Sequence, residues 1–207
     1  MKKFGNTELS NSVVAKSATT AYRDFEREII MQYGLTAKTI TRAKLKSVPA
    51  GTETDLRFVW EVNYTSICGK KLLLIVHADT RYCMVFCDIR QSVWKNLQSF
   101  LHDAVKNALL REGFSDEAAE RYFSLAGEET ITGTHGKKAI GGMNRIAAML
   151  PYFDKILVDG MFQPIITDAV NSDLCTVAAH PEAEYIYPHE FFVKRISELL
   201  GENTDGY

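Results

Sequence analysis

The residues best suited to chemistry lie in one stretch, Thr132-Gly-Thr-His-Gly-Lys-Lys-Ala-Ile-Gly-Gly-Met-Asn-Arg145. A glycine-containing loop there enters an expected helix whose first turn holds Lys137 and Lys138. Amide groups exposed at a helix start attract anions, and lysines beside them add charge. Lys138, Gly142 and Arg145 share one helical face, opposite Ile140, Met143 and Ala147. His135 and Asn144 add donors. His135, Lys137, Lys138, Asn144 and Arg145 therefore form a candidate anion- or partner-binding set. Gly141 and Gly142 each cost about 1 kcal/mol of helix stability relative to alanine, which close approach of another backbone would offset. The same residues also fit a pure scaffold, with glycines for packing and solvated lysines. The stretch is not a Walker loop, because Lys138 stands where Ser or Thr belongs and Ile131 where the first glycine belongs.

A second basic set is Arg42, Lys44 and Lys46, which would point to one side of an expected strand over 37–48. Clustered Lys and Arg suit phosphate, and such binding weakens with salt. The leading functional expectation is thus a non-enzymatic module for an anionic partner: a nucleic acid, a nucleotide or an acidic protein surface. The rival is an enzyme acting on phosphate esters, with His135 as acid or base and Lys137, Lys138 and Arg145 stabilising developing charge. That reading lacks a second titratable group at a defined spacing. Glu128 and Glu129 are adjacent, so in a strand they face opposite ways. GxSxG, HExxH and GxGxxG are absent, and no catalytic residue is assigned. A third reading is a structural or oligomer-forming protein.

Other polar residues carry weaker signals. The cysteines are Cys68, Cys83, Cys87 and Cys175, without CxxC spacing. With His180 and His189 only loosely spaced, no metal centre and no cofactor are expected. Reduced thiols in a cytoplasmic protein are the simplest expectation. His77 and Asp79 read as turn residues. Tyr185 and Tyr187 could stack on a ligand, while Phe191 and Phe192 suit docking onto a core.

These residues need a scaffold, and 207 residues with 46 % hydrophobic and 24 % charged side chains supply one large enough to need no staple. Disorder, collagen-like repeats and a disulfide-dense mini-protein are excluded. No run approaches the roughly 18 apolar residues that span a bilayer, and the start has no apolar segment of signal type. The net charge of −2 divides into +5 over 1–50, zero over 51–150 and −7 over 151–207. A basic head and an acidic tail suit different partners, or each other in a neighbouring copy.

Residues 1–17 are polar and expected to be loosely ordered, and 201–207 to be a flexible tail. Tyr22, Phe25, Ile29 and Tyr33 predict a helix over 18–33 that Gly34 stops. Runs at 56–65, 70–77 and 81–89, with short connections, predict an antiparallel meander. Helices follow over 91–112, over 116–125 capped by Ser115, over 138–150 and over 189–200 closed by Gly201, with a short strand at 129–133. A sheet followed by helices argues one α+β domain, an antiparallel β-meander packed with several helices.

Trp60, Lys70-Lys-Leu-Leu-Leu-Ile75, Thr80-Arg-Tyr82, Arg121-Tyr-Phe-Ser-Leu-Ala-Gly-Glu128 and Thr134-His-Gly-Lys-Lys-Ala-Ile-Gly-Gly-Met-Asn144 carry a resemblance. From about Trp60 to Tyr152 the chain resembles a family of small uncharacterised bacterial, plasmid and phage proteins defined only as a domain of unknown function. The resemblance implies a setting in mobile-element or phage biology. It implies no catalytic residue.

Overall fold

The computed structural model describes residues 29–202, except 68, 178 and 184. Expectations for 1–17, for 18–28 and for 203–207 lie outside the described residues.

A five-stranded sheet positions everything else. Its strands are β1 (Met31–Leu35), β2 (Val59–Ile67), β3 (Lys70–His77), β4 (Cys83–Cys87) and β5 (Glu129–Gly133), in the order β4-β3-β2-β1-β5. The expected β2-β3-β4 meander is present: Val62 pairs with Ile75, and Leu74 with Val85, both antiparallel. The sheet as a whole is mixed, which corrects the purely antiparallel expectation. β1 lies between β2 and β5 and runs parallel to both, with Gly34 opposite Glu61 and Thr132.

β1 also corrects the helix expected over 18–33, since residues 31–33 are extended. Met31, Tyr33 and Leu35 alternate onto one face and are fully buried there, while Gln32 and Gly34 point to the other. Ladder hydrogen bonds on both sides outweigh the local helical period. Gly34, expected to stop a helix, sits inside the strand instead. Residues 37–43 reverse the other way: the strand expected over 37–48 is helix α1 (Ala37–Ala43). Thr36 caps it, Ile40 and Ala43 pack on the core, and Lys44 ends it in the left-handed region at φ 57°. Thr39 ties the helix to β2 by donating to the Val62 carbonyl. Arg42, Lys44 and Lys46 therefore do not alternate along a strand.

The first sheet face is covered by α2 (Gln91–Lys95), α3 (Leu97–Arg111), α4 (Asp116–Ala126) and α7 (Pro188–Leu200). The expected single helix over 91–112 breaks at Asn96, where φ is −122° and ψ 43°. Ser115 caps α4 as expected, accepting from the Ala118 amide, and Gly201 closes α7 at φ 67°. Trp60, Leu73, Ile75, Leu97 and Leu101 pack together here with Tyr82, Tyr122 and Phe192. The second face carries a smaller core. There Leu74, Val85 and Cys83 meet Met143 and Ile146 of α5 (Lys137–Met149), a 3-10 segment at Leu150–Ile156, and Ile166 and Val170 of α6 (Pro164–Asn171). Val85 and Met143 are buried on this opposite side, away from Trp60 and Leu101. Ile140 is exposed, contrary to expectation: the buried face of α5 is centred on Gly142, Met143 and Ile146.

The outer edge of β4 is sealed by the chain at 161–163. Cys87 donates to the Met161 carbonyl and Gln163 donates to the Val85 carbonyl. Covering an edge in this way removes a template for strand addition. Cys83, Cys87 and Cys175 are free and buried. Cys68 lies outside the described residues. No described helix is long and apolar enough to cross a membrane.

Candidate functional sites

Two separate places gather unpaired charge, one on each face of the sheet. Three buried polar atoms among the described residues lack a hydrogen-bond partner: Arg42 Nε, Trp94 Nε1 and Glu61 Oε2. All three belong to these two places. Buried polar atoms are nearly always paired, so each such exception calls for a reason.

The first place is an open groove of about 730 Å³ between α1, β2 and the start of β3. Lys38, Arg42, Lys44 and Lys71 line it, with the hydroxyls of Thr41, Thr65 and Ser66 and no carboxylate. The Arg42 guanidinium lies 5.7 Å from the Tyr64 ring centre and 5.3 Å from that of Trp94. Tyr64 and Trp94 themselves meet edge to face at 5.3 Å. Stacking holds the guanidinium in place without neutralising it. Of the expected basic strand, Arg42 and Lys44 reach this groove and Lys46 does not. Lys38 and Lys71 were missed, because helix α1 and a cross-strand neighbour bring them in.

The second place is a cleft of about 200 Å³ on the opposite face, between the β3–β4 turn and α5. Glu61 and His135 form its floor, and Arg81, Lys138 and Gly142 contribute walls. Glu61 is 2 % exposed. Its Oε1 accepts from the His135 amide and shares a hydrogen bond with His135 Nδ1, each at 2.9 Å. His135 Nε2 meets Gln32 Oε1 at 2.7 Å. That oxygen also accepts the amides of Thr52 at 2.9 Å and Glu53 at 3.0 Å, which identifies it as the amide oxygen. His135 Nε2 must therefore carry a proton. A further proton then lies between Nδ1 and Glu61 Oε1, and in either placement Oε2 is a bare acceptor.

Glycines make room for this pair. A Cβ at Gly34 would lie 2.8 Å from the Glu61 carboxyl carbon, and one at Gly51 would lie 2.6 Å from His135 Nε2. A Cβ at Gly142 would press on the Arg81 guanidinium at 3.0 Å. This is the close approach that the Gly141-Gly142 pair suggested, made by a side chain rather than a backbone. Gly141 meets nothing within 4 Å.

The expected set 135–145 is thus split. His135 is locked in the floor and Lys138 stands at the rim. Arg145 lines a separate small recess with Arg81 and Cys175. Lys137 and Asn144 are exposed and line neither place. Neither Glu128 nor Glu129 reaches His135. Glu129 instead accepts from the Tyr33 hydroxyl at 2.6 Å and pairs with His102 at 2.6 Å. The carboxylate beside His135 is Glu61, which the sequence signals only as a lone acid inside the apolar run Val59-Trp60-Glu61-Val62.

A third polar cluster is structural. His77 is fully buried, and burial pushes its pKa down to about 4. Its Nε2 donates to the Arg57 carbonyl at 3.0 Å and its Nδ1 accepts from Thr80 at 2.9 Å. Burial acts to raise the Asp79 pKa, but hydrogen bonds from Arg195 and His180 hold it below the ordinary carboxylate value. These contacts dock α7 and the segment near 180 onto the β3–β4 turn, so His77 and Asp79 are more than turn residues. An unfolded histidine titrates near 6.5, and His77 only near 4. As pH falls between those values the unfolded chain takes up a proton that the folded chain refuses. Stability should drop by about 3 kcal/mol across that window and level off below it. Urea melts of wild type and His77→Gln at pH 7, 5.5 and 4 check this. An equally steep acid loss in the variant would show that His77 is not its source.

Neither the curated proteins nor the solved structures contain a match to this chain. Residues 32–191 match the model of one protein family, which is wider than the Trp60–Tyr152 resemblance and takes in both candidate sites. The chain belongs to that family, the domain of unknown function DUF6933.

Proposed function

We propose that the chain is a binding module for a phosphate-bearing polymer, a nucleic acid strand, which lies in the groove between α1, β2 and β3. The observation that carries this reading is the lining itself: four cations and three hydroxyls with no carboxylate. Lys, Arg, Ser and Thr are the side chains that hold phosphate oxygens along a nucleic acid backbone. The groove is larger than one phosphate group needs. An overall pI near 6.2 predicts modest affinity, because the rest of the surface repels a polyanion.

Fluorescence anisotropy with a labelled 12-nucleotide single strand tests the reading. Affinity should fall with salt, with a log–log slope of about −3 if all four cations meet phosphates. Lys38→Glu combined with Lys71→Glu should weaken binding at least tenfold and flatten that slope. Both side chains are surface cations without ion partners among the described residues, so the melting midpoint should barely move. Lys137→Glu with Asn144→Asp, away from the groove, should bind as wild type does. A double variant that keeps full affinity, or a wild type that ignores the oligonucleotide at low salt, would overturn the proposal. Binding of an acidic peptide in preference to the oligonucleotide would reassign the groove to a protein partner.

A further inference from the structure

A third cavity, of about 580 Å³, opens between α3, the outer strand β4 and the chain at 161–163. That volume falls within the roughly 300–1,000 Å³ of small-molecule sites. Its body is apolar and aromatic. Phe86 is at the centre, with the Phe100 ring edge to face at 5.1 Å and the Phe162 ring tilted against it at 5.4 Å. Met84 and Met161 extend this lining, and methionine adapts to varied shapes. Ala104 and Ala108, one turn apart on α3, line it with single methyl groups and so leave the space open. The charge at this cavity is one-signed. Arg111 lines it but is ion-paired with Asp168, and its guanidinium lies 5.5 Å from the Phe162 ring centre. Asp103 also lines it, is exposed, and has no cationic partner among the described residues. The nearest lysine along α3, Lys106, pairs with Asp116 and Glu120 instead. One carboxylate is thus left uncompensated beside three phenylalanine rings.

We infer that this cavity binds a small organic cation, with its apolar body among Phe86, Phe100 and Phe162 and its ammonium at the mouth on Asp103. Phe100 and Asp103 stand three residues apart on one helical face, so a cation there meets a ring and a carboxylate together. Aromatic ring faces carry negative potential and favour a cation over a neutral or anionic head. Arg111 over Phe162 is an instance of that contact within the protein itself. An anionic head would meet the uncompensated Asp103, and the one cation near it is already held by Asp168. The cavity shares no residue with the basic groove or with the His135 cleft, so mutation separates the three.

Isothermal titration of the full chain with three probes of one body tests this. 4-Phenylbutylamine, 4-phenylbutan-1-ol and 4-phenylbutyrate differ only in a cationic, neutral or anionic head. The amine should bind at least ten times more tightly than the alcohol, and the carboxylate most weakly. Asp103→Asn, at an exposed position that does not threaten the fold, should bring the amine down to the level of the alcohol and leave the alcohol unchanged. Phe100→Ala, at a half-buried position, should weaken both at least fivefold. Equal binding of amine and alcohol would overturn the inference, as would no binding of the amine at millimolar concentration. Tightest binding of the carboxylate would overturn it too, and would assign the head to Arg111. An amine preference that survives in Asp103→Asn would show that the carboxylate is not what the cation meets, and would equally overturn it.

Discussion

His135→Ala should lower the unfolding free energy by about 1–3 kcal/mol, the cost of leaving a buried polar group without its hydrogen-bond partner. Glu61 would keep only a backbone amide, at a site 2 % exposed. Gln32 would lose its donor from the ring but keep the Thr52 and Glu53 amides. Most of the loss therefore belongs to Glu61. Removing the charge as well should recover part of it, so His135→Ala with Glu61→Leu should be more stable than His135→Ala alone. Urea denaturation of the three proteins, with m-values compared, measures this. A single-variant cost under 1 kcal/mol would mean that Glu61 finds another donor and that the pair is not what holds it.

Leu101→Ala should cost about 2–5 kcal/mol, because the side chain is fully buried in the larger core and rigid neighbours collapse only partly around a cavity. Ile140→Ala is the matched control. It was expected to be buried from helical spacing but is 38 % exposed, and its loss should stay within about 0.5 kcal/mol. Equal costs for the two would contradict the orientation of α5.

What the sequence disclosed depended on how local each interaction is. The β2–β4 meander was readable because its strands follow one another across short turns. The Ser115 cap and Gly201 stop were readable because their hydrogen bonds lie within a few residues. β1 was misread because its strand character comes from two distant neighbours, and α1 because Arg42, Lys44 and Lys46 imitate a period of two while Thr36, Ile40 and Ala43 obey the helical one. At the sites, His135, Lys138, Arg42 and Lys44 were picked out by residue type. Glu61, Gln32, Arg81, Lys38 and Lys71 were not, since pairing across strands and packing between helices bring them there. Gly34 and Gly142 could be seen in the sequence, but their purpose could not: each leaves space for a side chain that arrives from elsewhere in the chain.

The place of β1 also sets an order of events during synthesis. β1 can join β2 as soon as the meander has emerged, but its other side has no strand until β5 follows. Gln32 waits for Thr130, and at ordinary rates of translation the interval from the end of β4 at Cys87 is ~2–9 s. For that time the nascent sheet presents an open parallel edge with Gln32 and Gly34 on one side of it. The completed protein hides this edge behind β5. A ribosome-bound chain stalled before residue 129 would expose it, and would be the species most inclined to recruit a chaperone or to pair with a neighbouring chain.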